Sequence, residues 1–118
     1  MIDTTKCADL FCLFARLSSV GEYQPLLDAA IAECNRMLRE GADASDVRLC
    51  YFCAALANLR YTQMMAARCA LSHTYAGTVV KSHDATVPCG FAERLVQAYH
   101  GAAADLLKDC RFLFTGIA

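Results

Sequence analysis

Cys50-Tyr51-Phe52-Cys53, followed by Cys69 and His73, imitates the C-x2-C…C-x3-H pattern of a zinc site. Zinc ligands must converge to about 2.0 to 2.3 Å from one ion. The residues between them oppose that. Their patterning is helical, and on one continuous helix Cys50 and Cys69 stand roughly 28 Å apart at 1.5 Å per residue. No Gly or Pro near Asn58 breaks the helix. The chain is therefore expected to hold no metal and no cofactor, with Cys50, Cys53, Cys69 and His73 as the ligand set of a rival, metal-binding reading. The Cys50/Cys53 pair could also serve as a redox dithiol. That chemistry uses an exposed thiolate, commonly at a helix N-terminus beside a strand. Cys50 is near the start of its helix, but burial beside Tyr51 and Phe52 and the absence of a βαβ pattern speak against it.

The other chemical groups do not assemble into a catalytic pattern. His73, His83 and His100 are scattered, and periodicity places no serine or carboxylate beside them. Asp105 and Asp109 fall at i, i+4 if the last helix includes both, a spacing that could pair carboxylates, although a solvated acidic edge near Lys108 is the plainer reading. There is no P-loop, dinucleotide fingerprint or HExxH. These observations predict a protein that is not an enzyme and has no catalytic residues. Arg48, Arg60 and Arg68 lie on a helix that is otherwise apolar and must find partners, either acids of the other helices or an acid of another subunit.

The chain of 118 residues is long enough for one domain with one core. Hydrophobic residues make up 57% and charged residues 19%, the latter below the roughly 25% of ordinary soluble domains, which suggests apolar surface buried against something else. A membrane is not that something, because the longest uncharged apolar run, Leu49 to Ala57, is far short of the about 20 residues a span needs. Net charge is −1 and no Lys/Arg cluster occurs, so strong nucleic-acid binding is not expected. The opening residues Met1 to Lys6 lack the basic and apolar regions of a signal peptide, which predicts the cytoplasm. Eight cysteines would suggest a disulfide frame in a secreted mini-protein. Here Cys34, Cys50, Cys53 and Cys110 occupy apolar helical positions, and reduced, buried thiols are expected.

The most informative element is the segment 46–71, which is apolar on nearly every side and leaves no solvent face. It should be the wrapped, central helix of an all-α bundle of about four helices. A first helix is expected over 4–17, capped by Asp3 or Thr4, with Cys7, Leu10, Phe11, Phe14 and Leu17 on one stripe. A second runs over 25–40, from Pro25 to just before Gly41, with Leu27, Ala30, Ile31, Cys34, Met37 and Leu38 inward. Asp43 or Ser45 should cap the third. From 72 to 90 the pattern breaks at Gly77, Pro88 and the β-branched run Thr78-Val79-Val80, predicting a long loop or extended arm. The fourth helix is expected over 91–109, with Phe91, Leu95, Tyr99, Ala102, Leu106 and Cys110 inward, before an apolar tail over 110–118. A third helix of about 26 residues spans roughly 39 Å and outruns its partners. The arm, the tail or a neighbouring subunit must cover the excess.

The C-terminal half, from the Ala-rich helix with Arg60-Tyr61, through Ala76-Gly77-Thr78-Val79-Val80-Lys81-Ser82, to Leu106-Leu107-Lys108-Asp109-x-x-Phe112-Leu113-Phe114-x-Gly116-Ile117, resembles small all-helical phage and prophage proteins of the head-to-tail connector kind. The resemblance covers about residues 55 to 117. It implies a non-catalytic virion-assembly protein that forms a homo-oligomer, in that family a ring at the portal vertex, and meets portal or tail proteins. Its location would then be the cytoplasm or an assembled virion. Tyr75, Val79, Val80, Phe112, Leu113, Phe114 and Ile117 are the expected subunit interface, although the tail could instead fold back over the long helix. The rival functions are a cysteine-based metal or redox protein and a small helical adaptor or regulator of a partner protein.

Overall fold

A computed structural model describes residues 1–76 and 86–108, the side chains of 69–76, 86 and 87 excepted. Four helices form an all-α bundle: α1 (Thr4–Ala15), α2 (Gln24–Met37), α3 (Val47–Ala76) and α4 (Thr86–Ala102). α1, α2 and α4 all pack on α3, while α1 and α2 touch each other only sparsely. The third helix is thus the axis of the bundle. Among the described residues there is no strand beyond one isolated antiparallel bridge, Leu38 to Leu107. No described helix is long and apolar enough to cross a membrane.

α1 starts where Asp3 accepts a hydrogen bond from the Lys6 amide at 3.1 Å, satisfying one of the orphan N–H groups of its first turn. It ends at Ala15, two residues before the expected end, where Arg16 takes the left-handed conformation (φ 59°) as C-cap. Cys7 and Phe11 are buried, with Leu10, Phe14 and Leu17 partly buried at the edges of the same stripe. A 3-10 turn at Gly21–Tyr23 leads into α2, whose Pro25 stands in the first turn, where its missing N–H costs nothing. α2 ends at Met37 rather than at 40, because the next residues turn to meet the closing segment of the chain. Its inward side, Leu27, Ala30, Cys34 and Met37, follows the expected stripe.

α3 is longer than its pattern predicts, 30 residues or about 45 Å. Asp46 accepts from the Arg48 amide at 2.9 Å and caps it, whereas Asp43 closes its own turn with Ser45 one step earlier. From Leu49 to Leu59 every residue except Tyr51 is buried. The contact surface there includes Ala54, Ala55 and Ala57, small side chains that let three helices approach one axis.

Two boundaries depart from the sequence expectation in the same region. Residues 72–76 continue α3, and 86–90 already belong to α4, so the ends of the expected arm are helical. Pro88 and Gly90 mark no loop because they lie in the first turns of α4, where a missing backbone donor is tolerated. The remaining arm residues, 77–85, lie outside the described residues. α4 then ends at Ala102, seven residues short of 109, and a 3-10 turn at Ala104–Leu106 redirects the chain. Leu107 comes back alongside Leu38, with Arg39 N–H donating to Leu106 O at 2.9 Å and Lys108 N–H to Met37 O at 2.7 Å. The Arg39 guanidinium also donates to Leu107 O. The inward face of α4 centres on Ala92, Val96 and, just past its end, Ala103; of the expected inward residues, Leu95 and Tyr99 pack against this core and Leu106 is buried, whereas Phe91 and Ala102 are exposed. Small Ala92 permits close contact with α3. Phe91 is 62% exposed, with the Arg94 guanidinium 5.5 Å from its ring centre.

Candidate functional site

Four buried thiols from three helices belong to the core around the wrapped half of α3. Cys7 of α1, Cys34 of α2 and Cys53 of α3 are completely buried, and Cys50 of α3 is nearly so. Cys50 and Cys53 are three apart and share a helix face. The Cys50 thiol reaches the Asp3 carbonyl oxygen, at 3.8 Å. Cys34 is near enough to feel the charge state of Cys7 and Cys50.

The thiols do not titrate alike. Hydrogen bonding, from Cys53 first and Cys50 after it, holds the Cys7 thiol below its ordinary value of 9.0. Cys53 is raised by its interaction with Cys7 and by burial. Burial pushes Cys50 up to about 11 and Cys34 up to about 12. Cys7 is the member of the four most easily deprotonated. All four are free thiols, as are the half-buried Cys12 and Cys89. Among the described residues, no group of three or more His, Cys, Asp or Glu side chains stands ready-made to hold a metal ion.

The C-x2-C…C-x3-H set does not come together. α3 runs unbroken from Val47 to Ala76, so Cys50 and Cys53 lie near one end, and Cys69 and His73 about five turns away along the same helix. The side chains of Cys69 and His73 are outside the described residues.

No family model, curated protein or solved structure matches this chain.

The charged residues of α3 are engaged within the chain where they are buried deepest. Arg48 pairs with Asp46 at 2.9 Å and with Asp105 at 2.8 Å, and donates to Ala102 O at 3.0 Å. It ties the start of α3 to the turn that follows α4. Asp46 and Asp105 are both held below the usual carboxylate range, chiefly by their hydrogen bonds from Arg48. The i, i+4 pairing of Asp105 with Asp109 does not arise on a helix, since α4 ends before either, and Asp109 is outside the described residues. Arg60 pairs with Glu33 of α2 at 3.5 Å. Arg68 is exposed and forms no ion pair with a described residue.

Of the expected interface, Tyr75 falls on the described backbone of α3, while its side chain, Val79, Val80, Phe112, Leu113, Phe114 and Ile117 lie outside the described residues. What the structure adds is the state of α3 beyond Leu59. Every residue from Arg60 to Ala66 is half-buried, Met64 and Met65 among them, and Ala67 and Arg68 are exposed. Sequence reasoning located this excess length by comparing helix lengths. It did not find the thiol cluster, although periodicity put Cys7, Cys34, Cys50 and Cys53 each on an inward position. A one-dimensional pattern says which residues turn inward but not which of them meet.

Proposed function

We propose that this chain is a non-catalytic assembly protein that acts by self-association, in the manner of the phage and prophage head-to-tail connector proteins it resembles. The observation that carries this reading is the second half of α3. Three shorter helices sheathe the first half, and past Leu59 a stretch with two adjacent methionines is covered only in part. Partly covered apolar surface of this kind marks interaction sites, and methionine suits surfaces that must adapt to a partner. Phe112, Leu113, Phe114 and Ile117 are further apolar residues of the same chemistry in the sequence. The half-buried arginines support the reading from the other side, because Arg48 and Arg60 are engaged in holding the fold. Portal or tail proteins would be the partners of such an oligomer.

Light scattering with the full chain tests this. The wild type should exceed the monomer mass, and Met64→Asp with Met65→Asp should lower that mass while helical circular dichroism is preserved. Phe112→Asp with Phe114→Asp should do the same. Loss of helicity together with mass would instead mean that these residues fold back on their own chain. A wild type that stays monomeric at high concentration would remove the basis of the proposal.

A further inference from the structure

The chain past α4 sets out from the wrapped end of the bundle. Arg48, in the first turn of α3, donates to Ala102 O at 3.0 Å and pairs with Asp105 at 2.8 Å. Leu107 then bridges to Leu38, and the Lys108 N–H donates to Met37 O at 2.7 Å. The partly covered stretch from Arg60 to Ala66, with the exposed Ala67 and Arg68 after it, belongs to the other end of the same unbroken helix.

Length separates these two regions. Met64 follows Arg48 along α3 by about 24 Å, and Arg68 by about 30 Å, at 1.5 Å per residue. Phe112 to Phe114 come four to six residues after Lys108, and a fully extended backbone carries them at most about 13 to 22 Å from it. The aromatic residues of the tail therefore stop short of the methionines of their own α3. Ile117, nine residues after Lys108, has the length to arrive, at about 30 to 32 Å, only on a backbone drawn straight along the bundle.

We propose that Phe112, Leu113, Phe114 and Ile117 of one copy dock on the Met64–Met65 stretch of α3 in a second copy, so that copies join end to end. The contact presupposes the self-association proposed for this chain and gives it a polarity. A second copy removes the limit of reach, because its α3 can be brought to wherever the tail begins. The chemistry of the two sides also matches, since unbranched methionine side chains shape themselves to a partner and make favourable sulfur contacts with aromatic rings. The isologous alternative, with one overhanging α3 against another, would leave four large apolar tail residues of each copy without a partner. Tail and overhang are different surfaces, so each copy offers one of each and the contact is heterologous.

Mixing two full-length variants tests this. Met64→Asp with Met65→Asp spoils the receiving surface and keeps the tail, while Phe112→Asp with Phe114→Asp spoils the tail and keeps the receiving surface. By size-exclusion chromatography with light scattering, each alone should run as a monomer with its helical circular dichroism intact. Mixed in equal amounts they should form a species of twice the monomer mass and nothing larger, because one good tail then meets one good overhang and the other two surfaces are dead. A mixture that stays monomeric while the wild type associates would overturn the end-to-end contact and leave self-association standing. So would either variant associating by itself, the sign of an isologous contact. Loss of helicity in the tail variant would overturn it too, since the tail would then serve its own fold. If the methionine variant does not fold, Met64→Gln with Met65→Gln takes its place in the mixture, with the same outcomes. A monomeric wild type would overturn both the contact and the self-association it presupposes.

Discussion

From Leu49 to Leu59, α3 is buried everywhere but at Tyr51, whereas from Arg60 to Ala66 no residue is fully buried. The two stretches belong to one unbroken helix. Their difference is made by their surroundings. α1, α2 and α4 have 12, 14 and 17 residues against the 30 of α3, so at 1.5 Å per residue the wrap runs out roughly halfway along the axis. Composition follows the wrap. The first stretch has Asn58 as its one buried polar residue, while the second begins with Arg60 and continues through Thr62 and Gln63. A helix can thus be a core element at one end and a surface element at the other, with the change marked by a single turn.

The largest effect that could break this comparison lies at Leu56, completely buried in the wrapped stretch. Leu56→Ala should destabilise the protein by about 2 to 5 kcal/mol, through lost transfer energy and the cavity left behind. Met64→Ala, on the half-buried stretch, should cost below about 1 kcal/mol. Denaturant titration followed by circular dichroism measures both. Equal losses, or a loss at Leu56 below about 0.5 kcal/mol, would mean that the two halves of α3 are not distinguished by burial.

Much of this contrast was legible in the sequence, and the reasons are local. The stretch Leu49 to Ala57 could only be a helix enclosed on all sides, since no period leaves it a polar face. The stripes of α1 and α2 were readable because Asp3 and Pro25 mark their starts. Legibility failed where tertiary contact overrode local signals. Pro88 and Gly90 read as loop residues, yet the start of a helix tolerates both. Leu106 continued a helical stripe in sequence, but the chain turns after Ala102 so that Leu107 can pair with Leu38 and Arg39 can reach Leu107 O. The inward face of α4 was misread at Phe91 because size suggested burial, while close approach to an alanine-rich axis favours Ala92. The thiol cluster was illegible for another reason. It depends on the angular registration of three helices, which no single helix encodes.

A second, smaller effect sharpens the comparison from the opposite direction. Ala55 is completely buried at the centre of the wrap, while Ala66 is half-buried near the end of the described side chains. Ala55→Leu should overpack the contact between α3 and its partners and cost about 1 to 3 kcal/mol. Ala66→Leu should stay within about 0.5 kcal/mol in the monomer, since leucine is a good helix former with room there. A damaging Ala66→Leu would show that the second half of α3 is packed as tightly as the first.

The smallest effect concerns acid, and it should act on the wrapped end alone. Asp46 and Asp105 both titrate below their ordinary value of 3.8, because each accepts hydrogen bonds from Arg48. A carboxylate depressed in the folded state binds fewer protons there than in the unfolded chain. Its contribution to stability is therefore present above about pH 4 and is lost as pH falls through the lower, folded value. The groups are at the surface, so the contribution is modest and weakens further with salt. Asp105→Asn removes one of the two carboxylates and leaves Asp46 as the cap of α3. In melting experiments at low ionic strength, the wild type should lose more stability than Asp105→Asn between pH 7 and pH 3, and high salt should narrow the gap. Parallel acid curves would mean that Arg48 does not bridge the start of α3 to the turn after α4 in solution. The wrapped half would then be closed by burial and by the Leu38–Leu107 pairing alone, which would make the contrast between the two halves of the helix wholly one of apolar contact.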